Sequence, residues 1–247
     1  MNTTSGFDRC FTFINTQLQR PGPAARPEKV GGLRGVTISR QSGCQGFLFA
    51  EELAVRFQTA LPKGVRPWTV FHRDLVEAVL RDHQLPVRLA SFMPEDRVGQ
   101  LHDIIEDLFS LHPPTETLVR GTAETILRLA QLGHAIIVGR GASVITARLP
   151  GMLHIRLIGS VEHRVAHVME SEHLDKKKAL RRIKSEDGGR RRYLKRYYGK
   201  DVADPLLYHF VINTDRVSLP EAVKMVCAFA LTHPMAGNVE KRISDKG

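Results

Sequence analysis

Five short runs of β-branched and apolar residues alternate with longer segments of helical periodicity between Arg34 and Thr232, and this alternation most constrains the fold. The runs predict strands at Val36–Ser39, Trp68–Phe71, Ala135–Val138, Leu153–Ile158 and Phe210–Asn213. Helical spacing fits Phe47–Ala60, Asp74–Asp82, Glu95–Leu111, Thr115–Leu132, Val161–Glu172, Lys176–Tyr198 and Leu219–Leu231. Strands and helices alternating in this way build a parallel sheet from βαβ units. At 247 residues the chain is long enough for one large α/β domain, and residues 34–232 read as one. Residues 1–33 combine weak helical spacing (Phe11, Ile14, Leu18) with a linker bearing Pro21, Pro23, Pro27 and Gly31-Gly32. A docked N-terminal helix and a frayed arm are both open there, and residues 233–247 form a tail.

Several classes are disfavoured. No apolar stretch approaches the roughly 18 residues of a spanning helix, and the first thirty residues carry charges throughout. Cys10, Cys44 and Cys227 show no spacing of a disulfide framework or a zinc site. The expectation is a cytoplasmic protein with no membrane partner, its oligomeric state left open. Its charge is concentrated. Residues 176–200 hold twelve Lys/Arg against Glu186 and Asp187, a surplus of ten that equals the net charge of the whole chain. Such a field calls for a polyanionic partner, either the phosphates of a small molecule or a nucleic-acid backbone.

The first strand leads into Arg40-Gln41-Ser42-Gly43-Cys44-Gln45-Gly46 and then a helix. Strand, glycine-containing loop and helix N-terminus together cradle phosphate through backbone N–H groups. The standard loop, G-x-x-x-x-G-K-[ST], also supplies a Lys and a hydroxyl for Mg²⁺. In register with it, this chain has Arg40 and Gln45 for the glycines, Gly46 for the Lys, and Phe47-Leu48 for the hydroxyl region. Arg40 can restore part of the missing charge, since guanidinium suits bidentate phosphate contact. Cys44 reads as a small loop residue. A third strand ending in Gly139-Arg140-Gly141 puts an Arg at the carboxyl edge of the sheet, where ligands of open α/β sheets bind. Arg73 and Asp74 follow the second strand in the same way, Asp74 also being a helix-cap residue. Gly188-Gly189 interrupts the basic helical segment as a hinge would, and Arg-bearing flaps neutralise charge on a transferring phosphoryl group.

Four stretches in order resemble the cytidylate-kinase-like family of P-loop nucleoside monophosphate kinases. They are Thr37–Gly43, Ile137–Ala142, the Asp187-x-x-Arg190-x-x-Tyr193 spacing, and Asp204-Pro205-Leu206-Leu207-Tyr208 leading into Val211–Thr214. The resemblance implies a three-layer α/β fold: a five-stranded parallel sheet, helices on both faces, and an Arg-rich helical lid at about 175–200. It implies transfer of the ATP γ-phosphoryl group to CMP, dCMP or a related monophosphate, with Mg²⁺. On that pattern Arg40, Gln41, Ser42, Gly43, Cys44, Gln45 and Gly46 hold the donor phosphates. Arg73, Asp74, Gly139, Arg140 and Gly141 meet the acceptor. Arg40 and Arg190, with Arg181 or Arg182, serve the transition state, and Asp187, Arg190, Arg191 and Tyr193 belong to the lid. No protein ligand for the metal is identified; nucleotide phosphates and water would hold it. True cytidylate kinases have G-K-[GST]-T in the loop and an Asp after Gly-Arg, where this chain has Gly46-Phe47-Leu48 and Gly141. Two other readings stand beside the kinase: a nucleotide-binding or regulatory protein that has lost the chemistry, and a nucleic-acid-associated protein using residues 176–200.

Overall fold

The computed structural model describes residues 32–60, 67–72, 117–139 and 141–233. Their elements run β1 (Gly35–Arg40), α1 (Gly46–Thr59), β2 (Thr69–Phe71), α2 (Thr117–Leu132), β3 (Ala135–Val138), α3 (Ala142–Ile145), β4 (Met152–Ile158), α4 (Val161–Glu172), α5 (Lys176–Tyr198), a 3₁₀ turn (Pro205–Leu207), β5 (Phe210–Asn213) and α6 (Leu219–Thr232). The strands form one sheet in the order β2-β3-β1-β4-β5. Every pairing is parallel, with Val36 beside Ile136 on one edge and Leu153 on the other. β1 sits at the centre, so its carboxyl end opens on the crevice where such sheets bind ligands.

Helices cover both faces. Val36, Ile38, Ile136, Val138, Leu153, Ile155 and Leu157 pack against Phe49, Leu53 and Phe57 of α1 and Val223 and Val226 of α6. Ala135 and Ile137 pack on the other side against Ile126, Leu127 and Ala130 of α2, Ile145 of α3, and Leu194 and Tyr198 of α5. Local signals set the boundaries. Ser160 caps α4 by accepting from the His163 N–H, and Asp175 caps α5 by accepting from the Lys178 N–H. Ser218 and Glu221 form a capping box on α6.

Three local features differ from expectation. β1 runs through Arg40, so this residue ends the strand rather than opening the loop. The short α3 follows Gly141 and is too brief to leave a periodic pattern. α5 is continuous through Gly188-Gly189, with no break at the pair. The expected helices at 74–82 and 95–111, and the arm and linker at 1–31, lie outside the described residues.

One face of the central strands carries an unexpected polar stripe of Thr37, Ser39, His154 and Arg156, all but Ser39 fully buried. Thr37 Oγ1 and His154 Nδ1 are 2.8 Å apart, and the His154 backbone N–H donates to His209 Nδ1. Burial, and secondarily the neighbouring His209, push the His154 ring down to about 3. The unfolded chain, with a value near 6.5, therefore binds this proton more readily. The neutral ring's contribution is complete above about pH 6.5 and declines towards pH 3, by about 1.4 kcal/mol per pH unit. Urea denaturation of wild type and His154→Gln at pH 6.5 and 4.5 is expected to show a loss in wild type that the variant largely lacks.

Candidate phosphate-binding site

The loop between β1 and α1 is fixed by its own backbone and by β4. The Gln41 N–H donates to the Leu157 carbonyl, the Gln41 Oε1 accepts from the Gly159 N–H, and the Cys44 N–H donates back to the Gln41 carbonyl. Gly43 has φ +89°, and a Cβ there would stand 2.7 Å from the Arg164 carbonyl oxygen, so only glycine fits. Gln45 adopts a left-handed conformation as N-cap and contributes no side-chain cap bond. The first helical N–H groups, Gly46 to Leu48, point out of the N-terminus with no acidic residue in the first turn to meet them. Unsatisfied N–H groups and the helix dipole favour an anion at this end.

Arg40 crosses the carboxyl edge of the sheet beside that end. Its Cγ lies 2.9 Å from where a Gly46 Cβ would be, and a Cβ on Gly139 would overlap its guanidinium. Its Nη2 is 3.0 Å from His72 Nε2, at the end of β2. Arg always donates, so His72 Nε2 accepts and that ring carries its proton on Nδ1. The guanidinium thus spans the ends of β1, β2 and β3. Gly46 occupies the register of the standard loop's Lys, and its missing side chain is what admits the Arg40 stem.

The basic helix α5 meets the loop through its two acids. The Ser42 N–H donates to Asp187 Oδ1 (2.8 Å) and the Ser42 hydroxyl to Glu186 Oε2 (2.9 Å). Arg164, buried on α4, binds the assembly from below. Its Nη1 donates to Asp187 Oδ2 (2.7 Å) and the Ser42 carbonyl (3.1 Å), and its Nε to the Gly159 carbonyl (3.0 Å). Arg190 pairs with Glu186 at 2.7 Å and Asp187 at 3.0 Å, while Arg182 pairs with Glu172 at 2.8 Å and Glu186 at 3.2 Å. Partial burial works to raise the Glu186 carboxyl, but the Ser42 hydrogen bond and the Arg190 and Arg182 guanidinium groups outweigh it and hold Glu186 below its usual range.

The structure brings Arg40, Ser42, Gly43, Gly46, Gly139, Asp187 and Arg190 to one end of the sheet. Arg182 reaches the same end through Glu186. Arg181 and Arg191 are exposed and make no ion pair with any described residue. They share the outer side of α5 with Lys177, Lys184, Arg192 and Lys195, all exposed. Tyr193 packs edge-on to Tyr197 and Tyr198. Gly141 is tight against α5: a Cβ there would stand 3.0 Å from the Tyr198 ring and 3.1 Å from Leu194, and its φ of +71° strains any other residue, an Asp included. Cys44 is buried, burial pushes its thiol up, and it is a packing residue beside Thr214. Arg73, Asp74 and Arg140 lie outside the described residues.

Sequence reasoning did not single out Arg164, and it read Glu186 only as a counter-charge. Among the described residues, no group of three or more His, Cys, Asp or Glu side chains is placed to hold a metal ion. In the loop, exposed apolar Phe47 and Leu48 stand where the standard loop has its Mg²⁺-binding hydroxyl. These residues do not fit a protein-held Mg²⁺. No described helix is long and apolar enough to cross a membrane.

The profile of the Cytidylate kinase-like family matches residues 35–216. No curated protein matches the chain. Among solved structures, an uncharacterized protein from Eubacterium ventriosum is similar over 80% of this chain and 97% of its own, with a TM-score of 0.54 and 22% identity. That likeness concerns the fold alone.

Proposed function

The chain belongs to the cytidylate kinase-like family, and from that premise we propose that it transfers the γ-phosphoryl group of ATP to CMP, dCMP or a related nucleoside monophosphate. The observation that carries this reading is the path of Arg40 over Gly46 and Gly139, which brings a guanidinium to the loop that lacks the usual Lys. In this reading the N–H groups at the start of α1 cradle the donor phosphates. Arg40 lies beside the transferring group, where a fixed cation stabilises charge that grows in the transition state. Arg190 and Arg182 approach from α5 once Glu186 and Asp187 release Ser42 and the guanidinium groups they hold. Arg140, Arg73 and Asp74 would face the acceptor. No general base is required, because the acceptor phosphate oxygen is already a nucleophile and positioning supplies most of the rate.

A second reading has a specific observation in its favour. Ser42 is engaged by two carboxylates, and no hydroxyl occupies the first turn of α1. A nucleotide-binding or regulatory protein that keeps the fold without turnover fits those facts. A coupled assay over a panel of monophosphates separates the two. ATP consumption dependent on one acceptor is the expected result. Saturable binding of ATP or CMP with no turnover would leave the regulatory reading. Steeply salt-dependent binding to nucleic acid with no nucleotide preference would remove both and assign the outer face of α5 instead.

A further inference from the structure

Among the described residues two arginines are buried, Arg164 at 5% and Arg156 at 6% exposure, and they are partnered very differently. Arg164 has the Asp187 carboxylate and two backbone carbonyls. Arg156, on β4, makes one hydrogen bond, from Nη1 to Ser39 Oγ at 2.8 Å. Its guanidinium lies 5.6 Å from the centre of the Tyr208 ring. No carboxylate among the described residues pairs with it. A guanidinium carries five N–H donors and stays charged, so most of its donor capacity is unused. Its remaining nitrogens are not among the described side-chain atoms that are both shut off from solvent and without a partner, so the guanidinium keeps an edge that a solute can reach.

The surroundings are those of an anion subsite. Ser39 Oγ accepts from Arg156 and, at 3.3 Å, takes at most a weaker share of the single Tyr208 hydroxyl proton. Tyr208 also donates to the Val202 carbonyl at 2.9 Å, which anchors the ring over the guanidinium. Ser39 and Arg156 are register partners near the carboxyl ends of β1 and β4. Alternation along β1 puts Ser39 on the face opposite Arg40.

We propose that Arg156, with Ser39 and Tyr208, binds an oxyanion presenting two acceptor oxygens to the free edge of the guanidinium, at a subsite distinct from the β1–α1 loop. The ligand class is a phosphate monoester or a carboxylate, both of which match that bidentate edge. This inference does not depend on phosphoryl transfer.

The test measures thermal unfolding of the full chain in anion-poor buffer, titrated with inorganic phosphate, CMP or acetate at constant ionic strength. Wild type, Arg156→Met, Arg156→Lys and Arg40→Ala are compared. The expected result is a saturable rise in the wild-type midpoint with one class of anion, kept in Arg40→Ala and weakened about tenfold or more in Arg156→Lys. Arg156→Met should lose the response while still unfolding cooperatively without anion. A phosphate or CMP response identifies the monoester, and an acetate response the carboxylate. The proposal is overturned if wild type shows no anion response, or if Arg156→Met keeps it. A response lost in Arg40→Ala would also overturn it by assigning the anion to the loop.

Discussion

Arg40→Ala is expected to lower kcat/KM for phosphoryl transfer by about 10²–10³-fold, the usual cost of removing one preorganised charge from a transferring group. The loss should fall mainly on kcat, because in the proposed reaction the guanidinium faces charge that develops in the transition state. Stability should change little, since Arg40 closes a strand whose core contacts are made by Val36 and Ile38. Restoring the standard residue by Gly46→Lys is not expected to rescue the variant's parent. Any Cβ at Gly46 stands 2.9 Å from the Arg40 Cγ, so the new side chain would push the Arg40 stem aside. Steady-state kinetics on the acceptor found by the panel, together with a denaturation curve, check both statements. Equal kcat in wild type and Arg40→Ala would remove Arg40 from the chemistry.

The largest loss of stability is expected from Arg164→Met, about 3–5 kcal/mol, the range found when one partner of a buried ion pair is removed. Three acceptors depend on this side chain: Asp187, the Ser42 carbonyl and the Gly159 carbonyl. Gly43 also packs directly on the Arg164 backbone, so the loop itself should loosen. Asp187 retains Arg190 and the Ser42 N–H, which favours the lower end of the range. Urea denaturation measures the loss, and hydrogen exchange at Ser42 should accelerate more than exchange in β3. A loss under about 1 kcal/mol would mean that Arg164 is replaceable at this junction.

The strands were legible in the sequence as short runs rich in β-branched and apolar residues, which in β1 and β3 are almost wholly buried. β3 and β5 have the bounds that their composition predicts. The helices α4 and α5 were legible from their helical spacing, and their ends are fixed by the caps Ser160 and Asp175 and by the left-handed Gly199. The site was legible only in its loop and its charge. Nothing local in Asp187 or Glu186 says that they turn inward to Ser42 while Arg181 and Arg191 turn outward. That division depends on the rotation of α5 about its axis. The route of Arg40 is hidden for a similar reason, as Gly46 and Gly139 look like ordinary turn glycines until their proximity to one side chain is seen. One signal was present and unread. His154 and Arg156 alternate with Leu153, Ile155 and Leu157, although a strand covered on both faces is normally apolar throughout.

The contacts from Ser42 to Asp187 and Glu186 have a consequence for any affinity measured at this loop. The two carboxylates are intramolecular ligands, present at the effective concentration set by a helix anchored through Arg164. If the loop holds phosphate as proposed, an incoming phosphate group binds in exchange, and its apparent dissociation constant is the intrinsic one divided by the fraction of molecules whose loop is vacated. Weak binding of a free nucleotide to this protein would then measure the strength of its resident competitor as much as the quality of the cradle.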